Sequence, residues 1–138
     1  MTTEIRLLLL TACIGLLHVI ISAAFGTKAR GMAWNMSSRE DNPPPLTGAA
    51  GRLQRAQANF FETFPLFIVA VIALRFADVS NNLTVLGAWL YFLSRAIYFP
   101  IYAFGITVIR TIIWAVGLLG LIILLVEGLT ALLAMAGQ

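Results

Sequence analysis

Apolar residues in this chain come in long runs, without the strict alternation of a β-strand. Residues 5–25 are almost unbroken. Residues 56–77 are interrupted by Asn59, Glu62 and Arg75, residues 83–104 by Arg95, and residues 106–135 form a longer run. A helix rises about 1.5 Å per residue and a hydrocarbon core is about 30 Å thick, so about 20 apolar residues span it. Four transmembrane helices are therefore expected, because backbone polar groups in lipid must be satisfied within their own segment. The fourth run exceeds that length and is expected to tilt or reach into water. Between the first two runs lies a polar loop, 27–51, holding Pro43, Pro44 and Pro45. The later turns, 78–82 and 105–107, are short and predict antiparallel neighbours. The fold class is all-α, a single up-down four-helix membrane bundle occupying residues 1–138.

Composition agrees. Of 138 residues, 60% are hydrophobic and 11% charged, with a mean hydropathy of +0.92. A soluble domain carries about 25% charged residues to wet its surface. A net charge of +3 spread over such a chain makes no nucleic-acid surface. Cys13 is the only cysteine and His18 the only histidine, which leaves neither a disulfide framework nor a zinc cluster. The first run is read as a retained helix and not a signal peptide. MTTEIR has no net positive charge, and the run exceeds an h-region of about 7–15 residues, although Ser22-Ala23-Ala24 loosely resembles a cleavage site.

The cations set an orientation. Lys28, Arg30, Arg39, Arg52, Arg55 and Arg110 fall on one side, Arg6 and Arg75 on the other, and Arg95 inside a span. Both termini are expected outside and the long loop in the cytoplasm.

Ionisable residues within a span are costly, about 2.5–3.5 kcal/mol on insertion scales, and mark partners, cavities or ligands. Arg52, Arg55, Asn59 and Glu62 are spaced three, four and three apart and share one helix face. Tyr91, Arg95, Tyr98 and Tyr102 share a face of the next span, and Arg110 and Thr111 open the last. Arg52 and Arg55 can also snorkel to the interface, and the tyrosines can serve as interfacial-belt aromatics. Glu62 lies about 10 Å deeper than Arg55 and needs a partner, for which Arg95 is the candidate. The two polar stripes look like the walls of a ligand pocket, with Pro65 and Pro100 beside them as kinks that help open it. Glu127 is read as an interfacial residue or a subunit contact.

The run Arg55-Ala56-Gln57-Ala58-Asn59-Phe60-Phe61-Glu62-Thr63-Phe64-Pro65-Leu66-Phe67 closely resembles the signature of the MAPEG family, the membrane-associated proteins in eicosanoid and glutathione metabolism. Its pattern R-A-x-x-N-x-x-E followed by P-L-F is more specific than hydropathy. The stretch from Ser94 to Tyr102 resembles the family's helix-three motif and Ile109-Arg110-Thr111 its helix-four opening, while Ser38-Arg39-Glu40-Asp41 is more like bacterial members. The resemblance implies a homotrimer in membrane lipid, with glutathione as co-substrate between subunits. It implies that Arg55, Asn59, Glu62, Tyr98 and Tyr102 bind the tripeptide, Glu62 at its α-amino group and Arg55 at a carboxylate. Gln57 would reach in from the adjacent subunit, and Arg110 would be the catalytic residue facing the thiol. Lys28, Arg30 and Arg39 are further candidates for a glutathione carboxylate. Thr63 departs from the tyrosine of some family enzymes, and Arg110 follows Tyr102 by eight positions, a spacing that varies in the family.

The expected activity is that of a glutathione transferase or peroxidase acting on a lipophilic electrophile or hydroperoxide. A non-catalytic lipid-binding or scaffolding protein of the same fold is the alternative. A small multidrug exporter is a third, disfavoured because its carboxylate must exchange protons freely, away from arginines.

Overall fold

In the computed structural model, which describes residues 1–137, the chain is helical almost throughout: α1 (Thr3–Arg30), a single-turn α2 (Met32–Asn35), α3 (Gly48–Phe76), α4 (Asn82–Phe104) and α5 (Thr107–Ala136). The four long helices are each long and apolar enough to cross a membrane. They form an all-α four-helix bundle of a multi-pass membrane protein. Large apolar side chains stand on its outside, among them Leu16, Leu17 and Ile20 of α1 and Leu119, Ile122 and Val126 of α5. Lipid is the solvent that such a surface matches.

The helices run past the apolar stretches. α1 continues five residues to Arg30 and α3 starts at Gly48, so the 27–51 segment is irregular only in its middle. The extra turns carry polar residues, Thr27, Lys28 and Arg30 on α1 and Arg52, Gln54 and Arg55 on α3. α1 ends where Gly31 takes φ 89°, a conformation that L side chains rarely adopt, and its N–H donates to the Thr27 carbonyl across 2.8 Å. Pro65 and Pro100 lie within unbroken helices, their rings on the exposed side.

Two buried clusters hold the bundle. One, around Leu7, Phe67, Leu74, Tyr91, Leu121 and Leu124, fills the half near the termini. The other, of Leu53, Ala56, Tyr98, Phe99 and Tyr102, lies toward the long loop. α4 and α5 approach until their backbones nearly touch. A Cβ on Gly120 would lie 2.6 Å from the Gly87 carbonyl oxygen, and one on Gly87 2.9 Å from that of Gly120. Small residues are what permit such closeness between membrane helices.

Two carboxylates converge on the α4 N-terminus. Glu4, 2% exposed, accepts from Thr84 Oγ1 at 2.5 Å and from Ser80 Oγ at 2.9 Å. Glu127 accepts from Asn81 Nδ2 at 2.7 Å, and Asn81 itself caps α4 through a capping box with Thr84. A helix N-terminus presents unpaired N–H groups and a partial positive charge, so acids gather there. Glu127 thus has a partner inside its own chain.

Candidate functional site

α3 delivers three of its four polar side chains to α4. Arg52 Nε donates to the Ala103 carbonyl across 2.9 Å, satisfying an acceptor at the open C-terminal end of α4. Arg55 Nε donates to the Tyr102 hydroxyl at 3.3 Å. Asn59 Oδ1 accepts from Arg95 Nη1 at 3.1 Å. The expected pairing of Glu62 with Arg95 is not formed. Glu62 is exposed on the single chain and makes no ion pair, the only one among the described residues being Arg75–Asp78. The reason is angular. At about 100° per residue, Asn59 and Arg52 sit on the edge of the stripe turned toward α4, about 40–80° around the helix from Arg55 and Glu62.

The α4 stripe divides in depth. Tyr91 belongs to the core, stacked on Phe67 with ring centroids 4.2 Å apart, its hydroxyl 3.0 Å from Thr63 Oγ1. Thr63 therefore serves α3–α4 packing. Arg95, 1% exposed, lies over the faces of Tyr91 and Tyr98 at 5.0 and 5.8 Å. Its Nε and Nη2 have no hydrogen-bond partner in the protein. Behind it, the buried His18 of α1 stacks on Phe99 at 3.9 Å.

Toward the loop end, Tyr98 and Tyr102 lie side by side with centroids 5.4 Å apart, and the Arg110 guanidinium sits 4.6 Å above the Tyr102 ring. Arg110, Tyr98, Tyr102, Asn59, Thr111 and Trp114 line one cleft of about 230 Å³. The cleft combines a cation with two phenols, an amide and an indole whose Nε1 has no partner. Such a set fits an anion carried on a partly apolar body. Trp114 was not anticipated, although it lies four residues after Arg110, on the same helix face.

Of the residues expected at the site, Asn59, Tyr98, Tyr102 and Arg110 meet in this cleft, and Arg55 reaches its edge through Tyr102. Glu62 stands outside it. Gln57 points elsewhere, into a groove shared with Gln54, the end of α1 and the loop. No group of His, Cys, Asp and Glu among the described residues is placed to hold a metal ion.

No curated protein matches the chain. The model of the MAPEG family matches residues 7–130, a stretch that takes in the whole cleft and most of all four spanning helices. On that match and this bundle, the chain belongs to the MAPEG family.

Proposed function

We propose that the protein is a membrane glutathione transferase or peroxidase, with Arg110 as the residue that activates the thiol. The observation that carries this reading is the seat of Arg110 over Tyr102 in a cleft shared with Asn59 and Tyr98. A free thiol has a pKa of about 8.5, and only its thiolate is a strong nucleophile. A guanidinium held by an aromatic face beside the sulfur stabilises the anion and favours deprotonation near neutral pH. The thiolate then attacks an electrophilic carbon, displacing its leaving group, or the terminal oxygen of a hydroperoxide, breaking the O–O bond and releasing an alkoxide that takes up a proton from water to leave as the alcohol. In the second case a further glutathione reduces the sulfenate that forms, giving disulfide and water. Asn59, Arg55, Tyr98 and Tyr102 hold the tripeptide, and the lipophilic substrate arrives from the bilayer.

The placement of Glu62, Arg55 and Gln57 supports an assembly of several copies, which the family resemblance makes a homotrimer. Glu62 and Arg55 are exposed on the single chain, and Gln57 faces away from the cleft of its own chain. A neighbouring copy would cover the first pair and supply its own Gln57, completing a site for the α-amino and carboxylate groups of glutathione. The cation distribution supports a cytoplasmic loop and outward termini, and the resemblance of Ser38-Arg39-Glu40-Asp41 to bacterial members supports a bacterial inner membrane as the location.

Glutathione binding to the detergent-solubilised protein tests the proposal. Arg55→Ala and Glu62→Ala are each expected to weaken it. Unchanged affinity in both variants would exclude the site, and binding of lipid with no thiolate signal would favour a non-catalytic lipid-binding role on the same fold.

A further inference from the structure

His18 is the only histidine of the chain, and it sits half-way along α1, 1% exposed. Its ring is held between two aromatic side chains. The centroid of Phe99 on α4 lies 3.9 Å away and that of Phe60 on α3 lies 4.7 Å away. Packing alone does not call for an imidazole in such a slot, since leucine or phenylalanine would fill it without burying two nitrogens. Neither Nδ1 nor Nε2 has a hydrogen-bond partner in the protein.

Both aromatic neighbours lead to the same polar group. Phe99 follows Arg95 by one helical turn on α4, and Phe60 follows Asn59, the acceptor of Arg95 Nη1. Arg95 is as deeply buried as His18, and its Nε and Nη2 are two more donors without a partner. Its charge acts on the imidazole, although no hydrogen bond joins the two side chains directly. A guanidinium can only donate. A neutral imidazole offers one N–H and one lone pair, so His18 brings the acceptor that Arg95 lacks. Polar groups left in this way inside a protein are joined by buried water, which makes about three hydrogen bonds to them. Such a bridge is nearly as favourable as a direct bond.

We propose that His18 is a positioning residue: through buried water its imidazole accepts from Arg95, and so keeps Arg95 in place to hold the Asn59 amide at the wall of the Arg110 cleft. The last link rests on the proposed function, since Asn59 serves glutathione only on that reading. α1 contributes no residue to the cleft, yet it takes part in ligand binding through the core of the bundle.

Two readouts on the full-length protein in detergent separate the bridge from the binding role. The first uses the lone histidine as its own probe. Isotope-labelled histidine gives a single imidazole by nitrogen NMR, whose unprotonated nitrogen is expected to be hydrogen-bonded. Arg95→Met is expected to move that resonance downfield, toward the position of a free lone pair. The second readout is glutathione affinity in a double-mutant cycle. His18→Phe keeps a ring between Phe60 and Phe99 but removes the acceptor, and is expected to weaken binding about fivefold, the effect of one hydrogen bond. His18→Asn or His18→Gln, which restores an acceptor, recovers the affinity. Adding His18→Phe to Arg95→Met produces no further loss. If His18→Phe is too large for the slot and does not fold, His18→Leu replaces it in the cycle. An imidazole signal unchanged in Arg95→Met overturns the bridge. Additive losses in the double variant, or full affinity in His18→Phe, overturn the positioning role. A wild-type protein that shows the Arg95-dependent imidazole signal but binds no glutathione rejects the thiol site, and with it the role of His18 there, while the bridge stands.

Discussion

Arg95 donates to Asn59 across 3.1 Å from a position only 1% exposed, and its other two guanidinium nitrogens have no partner in the protein. The bond fixes an amide that lines the Arg110 cleft. It also leaves a positive charge beneath that cleft without a carboxylate to balance it. Such a group works against the stability of the bundle, and on the proposed function its role is to serve the ligand above it.

Arg95→Met is therefore expected to leave the thermal midpoint of the solubilised protein unchanged or raised, while glutathione binds about tenfold more weakly. That loss corresponds to about 1.5 kcal/mol for a hydrogen bond involving a charged group. Parallel thermal melts and binding isotherms check it. A variant that loses stability but keeps its affinity would make Arg95 a purely structural residue.

Arg110→Ala should shift the pH midpoint of thiolate formation by bound glutathione upward, by about one to three units. The sign follows from the charge: a cation beside the sulfur favours the anion, so its removal restores a proton that is lost only at higher pH. Arg110→Lys keeps the charge and is expected to shift it less. The ultraviolet thiolate band followed against pH provides the measurement.

Gly120→Leu is expected to disrupt the α4–α5 contact. Its Cβ would meet the Gly87 carbonyl oxygen at 2.6 Å and the Tyr91 backbone nitrogen at 2.8 Å, and backbone atoms cannot rotate aside. Overpacking of this kind costs about 1–3 kcal/mol. It should appear as a lower unfolding midpoint in detergent, with Gly128→Leu, which meets nothing within 4 Å, as the neutral control.

Glu4→Ala removes the acceptor for Thr84 and Ser80 and should destabilise the bundle by about 1–3 kcal/mol. Glutathione affinity of the folded fraction should be preserved, because Glu4 lies at the opposite end of α4 from the cleft. Denaturation curves and binding measured on the same preparation separate the two effects.

Much of this molecule can be read along the chain. Length and hydropathy define four spans, and three-four spacing places Arg55, Asn59 and Glu62 on one side of α3. The partner of Glu62 could not be read, because facing across helices depends on rotations of a few tens of degrees that hydropathy does not resolve. Asn59, not Glu62, receives Arg95 for that reason. Tyr91 fell into the polar stripe by residue type, yet its ring is core and its hydroxyl is occupied by Thr63. Trp114 was hidden among apolar neighbours, where an indole reads as one more lipid-facing side chain. The burial of His18 against Phe60 and Phe99 was equally invisible, since the first span carries no hydrophobic asymmetry to show which side faces inward.

The tie between Glu4 and Thr84 joins residues eighty positions apart. α1 precedes α4 by some fifty residues of chain, so the bond cannot form until the third long helix has been made. Closing that bond therefore pins the first long helix to the third. A chain truncated before Ser80 has no way to reach it.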